Sequence, residues 1–276
     1  MLVRRPARPE LAPFVRVLWT TDAPAVPDSR GPVLERVLPS GEMHLALRLS
    51  GPPFRFLDGM SDRGARVPGY AVVGGARTTP YLKEIATPAL SVGALLSPGA
   101  AAHVFGAPAD ELAGRHTPLD ALWSAAVEEI RERLFEAATA SRRLDVFEAI
   151  LASRVPRVAG LHPAVAHALG RLAAGARVGD IVDETGYSHR HFVAVFRDAT
   201  GLTPKRFGRV HRFRRAVVRL AGNPSASHSR VALETGYADQ AHLIREFREH
   251  AGVTPATYRE LAGSRLHHLP VRPPDG

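Results

Sequence analysis

The chain has 276 residues, 45% of them hydrophobic, with 36 Lys+Arg against 27 Asp+Glu for a formal net charge of +9, and no cysteine. This length and apolar content suffice for two globular domains with cores of their own, and the absence of cysteine excludes disulfides, Cys-based zinc sites, thiol redox sensing and cysteine nucleophiles together. No basic-apolar-small N-terminal signal and no apolar run near the roughly 18 residues of a membrane span occurs, so a soluble, cytoplasmic protein without membrane contact is expected.

In chain order, the first part reads as short strands at 14–20, 35–38, 43–49, 54–57, 70–73, 81–85 and 90–96, divided by Gly/Pro/Ser turn signals such as those at 39–41 and 50–53. Seven strands at this spacing predict a β-sandwich or a small, cupin-like barrel. From Pro98 the period becomes helical. Leu119, Leu122, Trp123, Ala126, Val127, Ile130 and Leu134 form one apolar stripe, and Leu144, Phe147, Leu151 and Val155 form a second. These two stripes predict a helical hairpin that closes the first core or meets a second subunit.

The expected division is an N-terminal sensor or dimerisation domain over 1–156 (strands 14–97, helices 98–155) and a boundary at 156–160. An all-α domain follows over 160–262, and then a flexible tail over 263–276. The fold class is thus α+β and multidomain. Within the C-terminal part seven helices are expected, at 163–174, 178–185, 188–199, 204–221, 227–235, 239–250 and 255–261, with Pro163 and Pro204 in first turns and Ser188 as an N-cap.

That part contains one design twice. ETGYSHRHFVAVFRDATGLTPKRF begins at Glu184 and ETGYADQAHLIREFREHAGVTPATY at Glu234, offset by 50 residues at the Glu-Thr-Gly-Tyr and by 51 at the Phe-Arg and Gly-x-Thr-Pro that follow. Each copy reads as a short helix, a glycine turn and a second helix. This is the helix-turn-helix that lays its second helix in the DNA major groove. Gly186, Gly201, Gly236 and Gly252 sit at helix ends, where a positive φ favours glycine, and Tyr187 and Tyr237 read as packing residues rather than base stackers.

Charge follows the same division. Residues 160–276 hold 17 Lys+Arg against 10 Asp+Glu, leaving 19 against 17 before them. Between Asp198 and Glu234 no acid occurs, while Lys205, Arg206, Arg209, Arg212, Arg214, Arg215, Arg219 and Arg230 do, an electrostatic footprint suited to phosphate. On the first recognition helix Phe192, Val195 and Phe196 share the core face, and Arg190, Val193, Ala194 and Arg197 the opposite one. On the second, Leu243 and Phe247 face inward while Ala241, Ile244, Arg245 and Arg248 face outward, flanked by Gln240 and His242. Arg pairs with guanine and Gln with adenine, whereas Ala, Val or Ile touch only a thymine methyl. The expected base readers are therefore Arg190, Val193, Ala194, Gln240, Ala241, His242 and Arg245, and the expected backbone contacts Arg197, Lys205, Arg206 and Arg248.

The second copy, VALETGYADQAHLIREFREHAGVTPATYRE, resembles the signature of AraC/XylS-type transcriptional regulators, and the first copy with its trailing helix is similar to that family's first half, over about residues 161–260. The resemblance implies a DNA-binding domain of two helix-turn-helix subdomains joined by a helix, behind a separate N-terminal domain that senses a ligand or mediates dimerisation. ERVLPSGEMHLAL (35–47) and SPGAAAHVFGAPADELAGRHTPLDALW (97–123) resemble, less specifically, an N-terminal module fused to some members. The family pattern places a long polar or basic residue where this chain has Ala194, so sequence preference is expected to be stronger in the half-site read by the second helix. DNA-repair methyltransferases with a similar DNA domain transfer the alkyl group to cysteine, which this chain lacks.

In the N-terminal part Trp19, Glu42, His44, Arg77 and Tyr81 are the candidates for an effector pocket. Glu35, Glu42, His44, His103 and His116 could in principle serve a metal, but the His-x-His with a following Glu of a metal-binding cupin is missing, and no phosphate loop, GxSxG or HExxH occurs. No enzyme activity, cofactor or metal is expected. The expected partners are double-stranded DNA, a small-molecule effector, RNA polymerase and a second copy of the chain. Two alternatives stay open, namely a metal-dependent or catalytic N-terminal domain tethered to DNA, and a constitutive DNA binder whose first domain only dimerises.

Overall fold

The structure is a computed structural model that describes residues 1–23, 33–57, 65–85, 88–124, 126–156, 161–263 and 265–271. All seven expected strands form, as β2 (Val15–Ala23), β3 (Val33–Val37), β4 (His44–Ser50), β5 (Phe54–Leu57), β7 (Ala71–Gly74), β8 (Tyr81–Ile85) and β9 (Ala89–Leu96). Four more join them, β1 (Leu2–Pro6), β6 (Arg66–Gly69), β10 (His116–Pro118) and β11 (His268–Pro270). Each of these four lies at the edge of a sheet and ends in or contains proline or glycine, so pairing rather than local pattern defines it.

The strands build two sheets with antiparallel neighbours, ordered β1-β2-β9-β4-β7-β10 and β11-β3-β8-β5-β6. Side chains alternate between the two faces. From β4, Leu45, Leu47 and Leu49 join Val73, Val92 and Ala94 in the main apolar core, on the side away from the second sheet. Covering that side are α1 (Ala100–Phe105), α2 (Ala109–Leu112), α3 (Asp120–Trp123), α4 (Ala126–Phe135) and α5 (Ala140–Ala152). Val127, Ile130 and Leu134 of α4 and Leu144, Phe147 and Leu151 of α5 complete the core, each fully buried apolar side chain stabilising the fold by about 1.5–3 kcal/mol. The expected hairpin is therefore α4 and α5, packed on the first sheet. The stripe beginning at Leu119 is not one helix, because Ser124 takes φ 56 and separates α3 from α4.

The layer between the sheets differs from this core. Its apolar cluster is small: Ala46, Phe54, Phe56, Val72 and Tyr81, with Trp19 and Val37 beside it.

Seven helices follow among the described residues, α6 (Pro163–Ala173), α7 (Val178–Thr185), α8 (His189–Thr200), α9 (Pro204–Gly222), α10 (His228–Thr235), α11 (Gln240–Ala251) and α12 (Pro255–Leu261). Ser188 caps α8 as expected, and the starts of α9 to α12 are capped in the same way. Ser188, Thr203, Ser227, Asp239 and Thr254 each accept a hydrogen bond from a first-turn N–H, and Pro204 and Pro255 follow their caps.

The main core continues without a break from the first sheet into the first helix-turn-helix, where Phe192, Phe196, Leu202 and Phe207 belong to it. Leu38 and Leu269 belong instead to the second helix-turn-helix core around Phe213, Phe247 and Tyr258. The expected boundary lies outside the described residues except at Pro156. The expected flexible tail is overturned for 268–270: β11 pairs with β3 in the register His268↔Val37 to Pro270↔Glu35, and Leu269 is 1% exposed. Burial of Leu269 and the free edge of β3 supply the order that a polar, proline-rich sequence does not advertise. Among the described residues no helix is long and apolar enough to cross a membrane.

Candidate nucleic-acid interface

Each copy of the repeated segment folds as a helix-turn-helix, α7–α8 and α10–α11. The turns pass through Gly186 (φ 70) and Gly236 (φ 84), left-handed positions that a side chain rarely adopts. The Glu of each Glu-Thr-Gly-Tyr fastens its first helix to the helix before it. Glu184 binds His167 (2.6 Å) and Arg171, and Glu234 binds Arg219 and Arg230 (2.8 Å). Those hydrogen bonds hold both carboxylates below the usual carboxylate range. The tyrosines differ, since Tyr237 is buried while Tyr187 lies half-exposed against His162 and His191.

On α8, Phe192 and Phe196 are buried, Val195 is half-buried, and Arg190, Ala194 and Arg197 are exposed, with Val193 half-buried beside them. On α11, Leu243 and Phe247 are buried and Gln240, Ala241, Arg245 and Arg248 are exposed. Arg190, Arg245, Arg248, Lys205 and Arg206 form no side-chain hydrogen bond or ion pair among the described residues, so their donors face solvent. Gln240 accepts from the Ser229 hydroxyl at 2.8 Å and keeps its amide N–H₂. Ile244, expected outward, is half-buried.

Two expected DNA contacts have partners within the protein. His242, expected among the base readers, packs edge-on against Tyr237 at 5.2 Å, and its Nε2 lies 3.6 Å from the buried Glu246 carboxylate. Arg197, expected on phosphate, is paired with Asp110 of α2 at 3.0 Å.

The acid-free basic stretch is mostly internal wiring. Glu246, 4% exposed, accepts from Arg209 and Arg212 at 2.7–3.1 Å. Burial pushes its carboxyl upward, but the two guanidinium groups outweigh that and hold it below the ordinary value. Arg214 donates to the Ser40 carbonyl and to Glu42, and Arg215 to the carbonyls of Ala173 and Thr235. Of the eight cations between Asp198 and Glu234, only Lys205 and Arg206 have no hydrogen-bond or ion-pair partner for their side chains among the described residues. Glu246, Glu249 and Glu42, which pair with Arg209, Arg212 and Arg214, stand 34 or more residues away, and Glu234 at the edge of the stretch takes Arg219 and Arg230, which is why local composition overstated the footprint. Between the two units runs a groove lined by Arg177, Lys205, Arg209, Arg212, Arg215 and Arg245.

The N-terminal part grips both units. Gly99 N–H donates to the Ala199 carbonyl (2.8 Å), the His250 Nδ1–H to the Thr78 carbonyl (2.6 Å) and Arg36 to the Gly252 carbonyl (3.2 Å). Sequence reasoning missed Asp110, Glu246, Thr78 and Arg36, because each acts across a distance no local pattern reports.

The pocket candidates separate into two groups. Glu42 is removed from any pocket, since it bridges Arg16 and Arg214 at the junction of the two parts. Trp19, His44, Arg77 and Tyr81 instead border the layer between the sheets. A side chain at Gly74 would place its Cβ 2.0 Å from the His44 ring, and one at Gly93 2.1 Å from the Trp19 ring, so both glycines make room for aromatic neighbours. His116, expected only as a metal candidate, joins them: its ring stacks on Phe56 at 3.6 Å and meets Tyr81 edge-on at 4.6 Å. Glu42 and His44 do not converge, His103 packs edge-on against Phe14, and among the described residues no group of three His, Asp or Glu side chains is placed to hold a metal.

Two helix-turn-helix units in one chain, joined by a long helix and preceded by a strand-rich part, define a double helix-turn-helix DNA-binding protein. Residues 166–261 match the family model described as a helix-turn-helix domain, and residues 3–118 match a domain of unknown function (DUF6597). Over 86 residues the chain is 33% identical to the probable transcription factor PqrA of Proteus vulgaris, covering 31% of this chain and 70% of that protein. Among solved structures, the DNA-binding domain of the global transcriptional factor AdpA in complex with a target DNA is 31% identical, covers 35% of this chain and 86% of its own, and superposes with a TM-score of 0.31. ToxT from Vibrio cholerae is 7% identical, with 94% and 98% covered and a TM-score of 0.44. The chain belongs to the AraC/XylS-type transcriptional regulators, DNA-binding proteins that are typically not enzymes.

Proposed function

We propose that this regulator is sequence-specific and that a small-molecule effector, bound between the two sheets, controls how its helix-turn-helix units meet DNA. Residues 1–156 form the sensing part and 160–262 the DNA-binding part. Arg190, Gln240, Ala241 and Arg245 read base edges, with Val193 and Ala194 against thymine methyls. Lys205, Arg206, Arg248 and, when released from Asp110, Arg197 hold the phosphates. It works in the cytoplasm, with RNA polymerase and a second copy of the chain as its further partners.

The observation that carries this reading is the junction. The second sheet, which borders the layer, contacts the second helix-turn-helix through Leu38 and Leu269, and α2, which covers the other face of the first sheet, contacts α8 through Asp110 and Arg197. A ligand that shifts either sheet therefore changes the seating of the recognition helices.

The test is reciprocity. A compound that raises the melting temperature of the full-length protein should change its affinity for operator DNA, and the operator should change the compound's affinity by the same factor, typically about 5- to 150-fold for such couplings. A compound that binds tightly and leaves DNA affinity unchanged would favour a constitutive DNA binder.

A further inference from the structure

We infer that Arg215 of α9 sets the distance between the two DNA segments that the helix-turn-helix units read; this rests on the reading that both units bind one duplex, and names the residue that fixes their spacing.

The way the two units are joined is the first argument. Phe192, Phe196 and Phe207 belong to one apolar core and Phe213, Phe247 and Tyr258 to another, with α9 contributing to both. Where the units face each other they leave the groove described above, about 1100 Å³ in volume, rather than closing on a shared core. Their relative position therefore depends on the N-terminal part, on α9 and on polar contacts across that groove.

Arg215 makes such a contact. Its Nη1 donates to the Ala173 carbonyl at 2.5 Å and its Nη2 to the Thr235 carbonyl at 3.3 Å. Ala173 ends α6, in the first unit, and Thr235 ends α10, in the second. Carbonyls in the last turn of a helix lack partners within it and carry the negative end of its dipole, so one guanidinium satisfies two helix ends at once. Among the described residues no other α9 side chain hydrogen-bonds to both units. Arg209 and Arg212 reach Glu246, Arg219 reaches Glu234, and Arg214 reaches the N-terminal part. The turns after α6 and α10 also close on the same nitrogen: a Cβ at Gly175 would lie 3.6 Å from Arg215 Nη2, and one at Gly236 3.9 Å.

Packing carries this bridge to the recognition helices. Leu172 of α6 shares the core of Phe192 and Phe196 on α8, and Val231 of α10 shares that of Leu243 and Phe247 on α11. Holding the ends of α6 and α10 therefore holds α8 and α11 at one separation. An additional base pair moves two half-sites apart by about 3.4 Å and rotates one against the other. A hydrogen bond stretched by that much is lost, so the bridge cannot follow the step without breaking.

The experiment is selection of random duplex DNA on the full-length protein and on full-length Arg215→Met and Arg215→Lys, comparing the spacing between the recovered blocks. The unaltered protein should recover two blocks at one spacing. Arg215→Met should recover the same blocks at that spacing and also at spacings a base pair longer or shorter. With one base pair inserted into the selected site, fluorescence anisotropy should show a loss of about tenfold or more for the unaltered protein and about threefold or less for the variant. A duplex carrying a single block should bind both alike, an equality that misfolding or a lost phosphate contact would destroy. Arg215→Lys keeps the charge at the helix ends without the planar fork that reaches two carbonyls. It should melt near the unaltered protein and show the same spread of spacings, so it carries the test where Arg215→Met fails to fold. One unchanged spacing in both variants overturns the inference and leaves the two-unit reading intact. Equal weakening of every duplex, the single block included, overturns it as well. If the unaltered protein recovers no pair of blocks, the two-unit reading falls and this inference falls with it.

Discussion

Asp110 of α2 places its carboxylate 3.0 Å from the Arg197 guanidinium of α8, so the N-terminal part supplies an anion to the arginine proposed above to hold a DNA phosphate. The arginine side chain is 57% exposed, and a pair so open to water is worth at most about 1 kcal/mol. It is weak enough to exchange for DNA.

Asp110→Asn should therefore tighten binding to all sequences by a few-fold and steepen the dependence of log affinity on log salt by about one unit, as one more phosphate contact becomes available. Fluorescence anisotropy with a salt series measures both. An unchanged slope would place Arg197 away from the backbone.

Arg245 and Lys205 separate reading from holding. Arg245→Ala should relax specificity at one base pair, costing about 1–3 kcal/mol there, while Lys205→Ala should weaken all sequences alike and flatten the salt slope by about one. Equal loss of discrimination in the two variants would invert this division.

Glu246 anchors α11 to α9 through Arg209 and Arg212. Removing a buried carboxylate strands two guanidinium groups, at a cost of about 3 kcal/mol, the low end of the usual range because the arginine side chains keep 25–31% of their surface exposed. Glu246→Ala should lower the melting temperature and, by loosening α11, selectively weaken the second half-site. A melting curve matching the unaltered protein would show that the pair is dispensable.

His44 makes folding pH-dependent. Burial first, and then the charges of Arg77, Lys83 and His268, set its folded value at about 4 against an ordinary 6.5. The unfolded chain thus takes up the proton more readily, so stability is complete above pH 6.5 and declines as the pH falls toward 4. His44→Gln should flatten the fall in melting temperature across that window. Some slope will remain, because His211 and His267 are held near 4 by their own burial. A slope unaffected by the substitution would mean that His44 does not titrate with folding.

Much of this was legible in the sequence because it is locally encoded. The seven interior strands, the cap at Ser188, the first-turn Pro204 and the faces of α8 and α11 follow from periodicity and capping chemistry. What escaped depends on distant partners. β11 is ordered by β3, more than 200 residues earlier, and Leu269 gains its burial from a core assembled by other helices. His242 reads as an outward polar residue until Tyr237 and Glu246 draw it in. Glu42 looked like a pocket residue because its role is set by Arg214, 172 positions away.

Joint reading of DNA by the two units is checked by selection of random duplexes on the full-length protein at about physiological ionic strength. Two short conserved blocks about one helical turn apart, roughly 10 bp, with the stronger preference in the block read by α11, are the predicted result. A single block, or recovered duplexes without any shared sequence, would contradict it.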